Sequence, residues 1–205
     1  MATFLLIRHG DNDFLGSKLA GRLPGVHLNA KGLAQAQAVA DGLADLPITA
    51  IYASPLERTQ ETAQPLAQMK GLTIQVLPEL MEIDFGEWQG QELDLLRKDK
   101  SWNIVQTSPA GFRFPGGESF VEAQTRAISG LSALAEQYGE KELVVCTSHS
   151  DVIRLTVAHF LALPLDRFQR IRIRPASVTV LHLNGGQGYF GPINYSFDFK
   201  SELFI

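Results

Sequence analysis

The stretch that decides the fold reads Leu143-Val144-Val145-Cys146-Thr147, and it runs through Ser148-His149-Ser150 into a predicted helix. A second apolar run near the N-terminus, Phe4-Leu5-Leu6-Ile7, leads in the same way into Arg8-His9-Gly10. Short apolar runs without polar interruption are typical of strands that are covered on both faces of a sheet. The two stretches therefore predict a sheet that lies between helices.

Strands and helices alternate along the rest of the chain. Further strands are predicted at 50–53, 73–76, 177–183 and near 195–199, and helices at 29–43, 54–69, 118–138 and 151–161. Ser54 is the expected N-cap of the second helix, with Pro55 in its first position, and Gly139 is expected to end the third. The alternation predicts an α/β fold, a three-layer αβα sandwich with a mostly parallel central sheet.

The domain organisation follows from the absence of any linker or repeat. We expect residues 1–205 to form one domain. Within it, residues 80–117 are punctuated by glycine and proline and predict a loop or cap segment near the functional site, with a short helix at 91–101. Irregular segments of this length inside a domain are usually functional.

The composition excludes several classes of protein. The chain has 205 residues, 45% of them hydrophobic and 20% charged, which is typical of a globular domain rather than a disordered one. A net charge of −4 argues against a nucleic-acid binder. The single cysteine, Cys146, excludes an intrachain disulfide and a cysteine-rich zinc site. No apolar stretch reaches the roughly 18 residues that a membrane span needs, so we expect a soluble, cytoplasmic protein.

Cationic and imidazole side chains follow three of the predicted strands. Arg8 and His9 end the first strand, Arg58 lies in the first turn of the helix after the second, and His149 ends the strand at 143–147. Ligands of open α/β sheets bind outside the carboxyl ends of the strands, so we expect these four residues to converge. The helix that begins at Asp151 adds free N–H groups and a positive dipole end. The sequence therefore predicts a pocket that accepts an anion such as phosphate.

Short segments along nearly the whole chain resemble the histidine phosphatase superfamily, in the branch of cofactor-dependent phosphoglycerate mutases and small-molecule phosphatases. The segments that carry the resemblance are Leu6-Ile7-Arg8-His9-Gly10, Leu28-Asn29-Ala30-Lys31-Gly32, Ser54-Pro55-Leu56-Glu57-Arg58-Thr59, Leu80-Met81-Glu82-Ile83-Asp84-Phe85-Gly86-Glu87-Trp88-Gln89-Gly90, Pro115-Gly116-Gly117-Glu118-Ser119 and Ser148-His149. The first triplet alone is weak, but the order of the whole set is specific.

The resemblance implies roles for the converging residues. His9 would be the nucleophile that accepts the phosphoryl group, because a neutral imidazole can attack and its pKa makes that form accessible. Arg8, Arg58 and His149 would hold the non-bridging phosphoryl oxygens, since phosphoryl transfer depends mainly on positioning and charge neutralisation. The scheme needs no metal and no cofactor.

The same resemblance points to Glu82 as the general acid for the leaving group and then the base for water, which requires a raised pKa. The alternative is that Glu82 is an exposed loop glutamate. Asp84 and Glu87 are poorer candidates, because the family's acidic position aligns with Glu82. Thr59 either adds a polar contact to the phosphate or is an ordinary helix residue.

Two positions depart from the family pattern beside the expected phosphate site. Asp11-Asn12 replaces the common Glu-Thr, and Asn12 can still offer a hydrogen bond to substrate. Ser150-Asp151 replaces a common glycine after the second histidine, and Ser150 could donate to an oxyanion. Asp151 either adds negative charge near the pocket or stabilises the helix start, and we favour the second interpretation.

Further specificity candidates lie in two variable segments. Arg22 is either a substrate contact or part of a structural salt bridge. The segment 91–114 is expected to cap the pocket, and its weaker specificity candidates are Arg97, Lys98, Trp102 and Arg113.

Three functions compete at this point. We favour a phosphatase that acts on a small phosphorylated metabolite over a phosphoglycerate mutase, because the mutases carry a longer insertion after the acidic motif. A non-catalytic phospholigand-binding protein is the third hypothesis, although both His9 and Glu82 are present. The exposed edge of the final hairpin could also pair with a second subunit to give a homodimer.

Overall fold

The central sheet contains six strands in the computed structural model, which describes residues 1–184 and 186–197. In chain order they are β1 (Ala2–Arg8), β2 (Ile48–Ala53), β3 (Ile74–Val76), β4 (Leu143–Ser148), β5 (Val178–Asn184) and β6 (Gln187–Phe190). Their spatial order is β3-β2-β4-β1-β5-β6. The first four in this order are parallel, whereas β5 and β6 are antiparallel additions at one edge. The prediction of a mostly parallel sheet is confirmed.

The register of the parallel strands aligns their carboxyl ends. Arg8 of β1 lies opposite Ser148 of β4, and Ala53 of β2 lies opposite Thr147. The pairing continues one residue past the strands, since the His9 N–H donates to the Ser148 carbonyl at 2.9 Å. The three strand ends that the sequence analysis singled out therefore lie side by side.

Helices cover both faces of the sheet and complete the three layers. The helices are α1 (Ala30–Gly42), α2 (Glu57–Lys70), α3 (Leu93–Leu96), α4 (Lys100–Thr107), α5 (Phe120–Gln137) and α6 (Ser150–Phe160). On one face, Val39 of α1 and Leu66 of α2 pack on Val145 of β4. On the other face, Leu131 of α5 and Ile153 of α6 belong to a separate cluster of buried residues that includes Val144 of β4.

Local chemistry sets several helix ends. Asn29 caps α1 by accepting the Gly32 N–H at 2.9 Å, and Ser119 and Glu122 form a capping box at the start of α5. Helix α2 begins later than predicted, with Leu56 rather than Ser54 at its N-cap. The Ser54 hydroxyl instead lies 2.8 Å from Nε2 of His149. The helix predicted at 118–138 is α5, which ends at Gln137. Gly139 has no left-handed φ, so the expected glycine cap is absent.

The segment 80–117 folds as a small layer of its own. Two short helices, α3 and α4, replace the single helix predicted at 91–101, because Asp99 caps a new helix by accepting the Ser101 N–H at 2.7 Å. Ile83, Trp88 and Val105 join a third cluster of buried residues with Phe120 of α5. This cluster seats the segment against α5 and α6, at the carboxyl ends of the strands.

The last predicted strand was misplaced. The outer strand of the hairpin is Gln187–Phe190, which forms the edge of the sheet, and Tyr195 makes only an isolated bridge with Val178. The predicted range 195–199 extends beyond residue 197 and so lies partly outside the described residues. Pairing of this edge with a second subunit stays a prediction. Among residues 1–184 and 186–197, no helix has the length and apolarity needed to cross a membrane.

Close backbone packing at the end of β1 requires glycine in α1. A Cβ atom on Gly32 would lie 2.1 Å from the Asp11 carbonyl oxygen. We expect Gly32→Ala to lower the free energy of unfolding by about 2 kcal/mol, as overpacking does. Urea denaturation measures this loss. The control is Gly111→Ala, where an added Cβ meets no atom within 4 Å. Equal stability of the two variants would contradict the prediction.

Candidate active site

The strand ends bring Arg8, His9, Arg58 and His149 into one cluster. The ring centroids of His9 and His149 lie 5.3 Å apart. Nη2 of Arg58 lies 3.3 Å from Nδ1 of His149. Arg8 and His9 follow directly from β1, while Arg58 is fully buried in the first turn of α2. The convergence that the sequence predicted is present in the structure.

His9 is held in one tautomer by its neighbour. Its Nδ1 lies 2.8 Å from the carbonyl oxygen of Gly10, which can only accept a hydrogen bond. Nδ1 therefore carries the proton in the neutral ring, and Nε2 keeps its lone pair. Burial, together with the charges of Arg8 and Arg58, holds the pKa of His9 well below its usual value. The imidazole is thus neutral at physiological pH, with the lone pair on Nε2.

The two arginines use only part of their hydrogen-bonding capacity within the protein. Arg8 donates from Nη1 to the Ile173 carbonyl at 2.7 Å, and Arg58 donates from Nη2 to the Gly21 carbonyl at 2.7 Å. Burial and the charge of Arg154 lower the pKa of Arg8 to about 10, so it stays cationic at neutral pH. Burial likewise lowers the pKa of Arg58. Neither guanidinium forms an ion pair in the described part of the chain.

The unused donors of this region point to one cavity. Within residues 1–184 and 186–197, the buried side-chain polar atoms that lack a hydrogen-bond partner belong to Arg8, Arg58, Ser150 and Arg154. All four residues line the same cavity of about 280 Å³, together with His9. Buried donors normally find acceptors, and an unmet one is costly. The concentration of such donors around one histidine is typical of an anion site.

Glu82 reaches the same cavity from the irregular segment that follows β3. It is buried, with 8% of the residue exposed, so the alternative of an exposed loop glutamate is wrong. Its Oε1 accepts the backbone N–H of Ile83 at 3.0 Å. Burial and the nearby charge of Asp151 raise the pKa of Glu82 to about 7. A carboxyl group with this pKa can both give and take a proton near neutral pH.

An ion-pair network fixes the loop that carries Glu82. Glu118 lies between two arginines, with Oε1 2.8 Å from Arg22 Nη2 and Oε2 3.0 Å from Arg126 Nη2. Arg22 donates from Nε to the Glu82 carbonyl at 2.8 Å, and Arg126 donates to the carbonyls of Glu79 and Met81 at 2.6 and 2.9 Å. We call Arg22, Glu118 and Arg126 the loop clamp.

The clamp shows the structural interpretation of Arg22. Its guanidinium is engaged by Glu118 and the Glu82 carbonyl, and it does not line the cavity that holds His9. The structural salt bridge is therefore present, and a direct contact of Arg22 with substrate stays a prediction. Arg22 acts on the site by positioning the backbone of the residue that carries the carboxylate.

His149 lies behind the cavity rather than on its wall. It is fully buried, and its Nε2 lies 2.8 Å from the Ser54 hydroxyl. Because Arg58 can only donate toward Nδ1, the proton of the neutral ring sits on Nε2 and is donated to Ser54. Burial and the charge of Arg58 keep the pKa of His149 well below its usual value. His149 can donate from Nδ1 only after taking up a proton, which a bound dianion would favour.

The remaining predicted residues divide between the cavity and the scaffold. Asn12 and Ser150 line the cavity. Asp151 lies in the first turn of α6, pairs with Arg154 at 2.9 Å and also lines the cavity, so both of its interpretations hold. The hydroxyl of Thr59 donates to the carbonyls of Ser54 and Leu56 at 2.8 and 2.6 Å, as a scaffold residue does.

Of the weaker candidates in 91–114, only Trp102 lines a cavity near the site. Arg97 pairs with Asp94, and Arg113 pairs with Glu122. The exposed Lys98 is absent from the cavity walls. Of the four candidates, the segment thus places the aromatic one, Trp102, at a cavity, whereas the three cations lie elsewhere.

The sequence analysis missed a second cavity that adjoins the first. This side chamber, of about 550 Å³, is bounded by Arg8, Trp102, Phe114, Arg154 and Arg172. Arg154 could have been found from its position one helical turn after Ser150, which puts the two side chains on the same face of α6. Arg172 lies in the loop before β5, where no local pattern indicates which way it points.

Comparison with known proteins gives the class to which this fold and site belong. The family model of the histidine phosphatase superfamily (branch 1) matches residues 4–195. The chain belongs to the histidine phosphatase superfamily. A probable phosphoglycerate mutase, GpmB of Escherichia fergusonii, is 32% identical over 183 residues, which cover 87% of this chain and 84% of that protein. A Mycobacterium tuberculosis protein described as uncharacterized is 39% identical over 147 residues, covering 70% of this chain and 71% of that protein.

Solved structures agree with this membership. Bacillus stearothermophilus YhfR superimposes with a TM-score of 0.89 at 25% identity, over 96% of this chain and 99% of that one. A mycobacterial glucosyl-3-phosphoglycerate phosphatase in complex with VO3 superimposes with a TM-score of 0.85 at 27% identity, over 95% and 99% of the two chains. Phosphatases and mutases thus both occur among the similar proteins, and phosphoryl transfer is the chemistry they share.

Substitution of Glu118 tests whether the loop clamp holds the loop that carries Glu82. We expect Glu118→Gln to destabilise the protein by roughly 2 kcal/mol, because two partly buried arginines lose a charged partner. Phosphate-ester turnover should fall as well, because the carbonyl contacts beside Glu82 loosen. Thermal unfolding and kcat/KM measure the two effects.

The matched control is Asp94→Asn, which removes the carboxylate of an exposed ion pair with Arg97. Exposed pairs contribute little, so both quantities should stay close to those of the unmodified protein. If Glu118→Gln behaves like Asp94→Asn, the clamp does not hold the loop.

Proposed function

We propose that the protein hydrolyses phosphate monoesters of small molecules through a phosphohistidine formed on His9. The observation that carries the proposal is one cavity lined by His9, Arg8, Arg58 and Ser150. Among the described residues, donors of Arg8, Arg58 and Ser150 have no partner there, and Nε2 of His9 makes no hydrogen bond. This set supplies a nucleophile and charge neutralisation in one place, which is what phosphoryl transfer requires. The proposed reaction is independent of metal, since the arginines balance the charge of the phosphoryl group.

In the first step, the His9 Nε2 lone pair attacks phosphorus as the bond to the ester oxygen breaks. Glu82, protonated at the start because its pKa is raised to about 7, gives its proton to the leaving alkoxide. The alcohol departs, and the phosphoryl group stays on Nε2. Arg8, Arg58 and Ser150 donate to the non-bridging oxygens, and Asn12 adds an amide at the cavity wall.

In the second step, water attacks the phosphorus of the phosphohistidine from the side that the alcohol has left. Glu82, now a carboxylate, accepts a proton from this water, and the N–P bond breaks. Inorganic phosphate leaves, and His9 and Glu82 return to their starting protonation states. His149 would support both steps by donating from Nδ1 once the dianion has raised its affinity for a proton.

A mutase is the second candidate, favoured by the similarity to a probable phosphoglycerate mutase. A mutase would return the phosphoryl group to a second hydroxyl of the substrate rather than to water. Incubation with 3-phosphoglycerate separates the two functions. A phosphatase releases inorganic phosphate, whereas a mutase forms 2-phosphoglycerate without it.

The nucleophile is tested by replacing His9. We expect His9→Ala to lower kcat for para-nitrophenyl phosphate by about a thousandfold or more, because the covalent route is lost. Release of para-nitrophenol measures the rate. Radiolabelled phosphate should appear on the unmodified protein as an acid-labile adduct, and not on the variant.

The matched control is His159→Ala, which removes an exposed histidine of α6 that lies outside the catalytic cavity. Its rate should equal that of the unmodified protein. Equal turnover by His9→Ala would overturn the assignment. A protein that binds phosphate tightly but turns over no ester would instead indicate a non-catalytic binding function.

The opposite pKa shifts of His9 and Glu82 predict the dependence of activity on pH. His9 is neutral down to below its usual pKa, whereas the acid form of Glu82 is lost as the pH rises through about 7. We therefore expect kcat/KM for an alkyl phosphate to fall as the pH rises through about 7. Para-nitrophenyl phosphate, whose leaving group needs less protonation, should show a weaker fall. The phosphate group ionises in both esters, so the difference between their pH profiles reports on protonation of the leaving group by Glu82.

Asp151→Asn tests whether the fall in kcat/KM at high pH, the alkaline limb of the profile, reports the ionisation of Glu82. The Asp151 carboxylate disfavours ionisation of Glu82, so its removal should lower the pKa of Glu82 and move the limb to lower pH. Asp41→Asn, at an exposed residue of α1, should leave the profile unchanged. A limb that stays in place or moves to higher pH in Asp151→Asn would contradict the assignment.

A further inference from the structure

The side chamber is continuous with the catalytic cavity. Both cavities are lined by Arg8, Phe85, Asp151 and Arg154, and the chamber extends beyond them toward α4 and the loop before β5. A phosphate held beside His9 therefore has its alcohol portion directed either to solvent or into this space. The chamber's volume of about 550 Å³ falls in the range of cavities that hold whole small-molecule ligands, and it exceeds the 280 Å³ of the catalytic cavity.

The charge of the chamber is strongly positive. Its charged lining residues are Arg8, Arg154, Arg172 and Arg174 against the single carboxylate of Asp151. Asp151 engages Nη1 of Arg154, yet Nε of Arg154 is buried without a partner among the described residues. The side chain of Arg172 has no hydrogen bond or ion pair with a described residue. Arg154, at the junction of the two cavities, and Arg172, in the chamber beyond it, thus keep donors for an anion.

Part of the chamber's lining is aromatic. Trp102 of α4 lines the chamber beside Phe85 and Phe114. The Trp102 ring stacks on Trp88, with centroids 6.1 Å apart and an interplanar angle of 25°, and Phe85 packs edge-on against Phe114 at 4.8 Å. These contacts hold the rings in fixed orientations. A rigid aromatic wall suits a flat or apolar body and contributes affinity through its area.

We propose, on the basis of the phosphatase function above, that the substrate is a phosphate monoester whose alcohol portion carries a ring and a second anionic group. The ester phosphate binds beside His9, the ring lies along Trp102 and Phe114, and the second anion pairs with Arg154 and Arg172. Arg8 lies between the two cavities and contributes to both. This assigns Arg154 and Arg172 as specificity residues for the distal anion.

The test compares esters that differ only in the distal charge. The probes are 4-(phosphonooxy)phenylacetate and its neutral amide, which share the ring and the scissile bond. A charged hydrogen bond at the distal site should give the acid a kcat/KM about tenfold or more above that of the amide. A third probe, 4-(phosphonooxy)benzylphosphonate, carries a second anion that cannot be hydrolysed, and it shows whether the chamber prefers a carboxylate or a phosphate-like group.

Substitution of the distal arginine connects the preference to the chamber. Arg172→Gln should reduce the acid-to-amide ratio of kcat/KM to within about threefold of unity. The ratio is the readout, so any general loss of activity cancels. Arg154→Gln should reduce it as well, and Arg170→Gln, at an exposed arginine that lines neither cavity, should leave it unchanged.

The outcomes separate this inference from the function on which it rests. Hydrolysis of acid and amide at equal kcat/KM, or an unchanged ratio in Arg172→Gln, would overturn the distal anion site while leaving the phosphatase intact. Failure of the unmodified protein to hydrolyse any of the esters, with His9→Ala indistinguishable from it, would overturn the phosphatase itself. A high acid-to-amide ratio that collapses in Arg172→Gln and persists in Arg170→Gln supports the inference.

Discussion

The parallel register between β1 and β4 is the constraint on which the rest of the structure depends. It places Arg8 opposite Ser148, and the His9 N–H bonds the Ser148 carbonyl, so the segments that carry the two histidines lie side by side. A slip of one residue would move Arg8 to the other face of the sheet, and His9 likewise, because side chains alternate along a strand.

Burial of this cluster sets the protonation state of each member. Removal from water disfavours the charged form of every group, which lowers the pKa of His9 and raises that of Glu82. A neutral imidazole and a carboxyl group that can carry a proton therefore coexist near pH 7. Opposite shifts in neighbouring titratable groups identify an acid and a base by their environment. The same burial makes the unpaired arginine donors costly unless an anion satisfies them.

The parallel sheet and the cluster at its strand ends could be predicted from local sequence, because each strand and its polar end are adjacent along the chain. The convergence of Arg8, His9, Arg58 and His149 followed from strand ends alone. The network around Arg22 did not, since Glu118 and Arg126 lie about a hundred residues away in sequence and meet it only through tertiary packing. The side chamber was missed for the same reason, because the helix and loops that form it are distant along the chain.

The arginines of this chain divide into two groups by their partners. Arg22 and Arg126 share Glu118, and their donors hold the carbonyls beside Glu82, so their charge is consumed in fixing the loop. Arg8 instead donates to a carbonyl oxygen, and Arg58 contacts a carbonyl oxygen and the neutral ring of His149. Among the described residues neither forms an ion pair, so both keep their net charge. A buried cation without a carboxylate is destabilising in the free protein. The proposed phosphate ester would bring the missing negative charge to Arg58 in the catalytic cavity and to Arg8 where the two cavities meet.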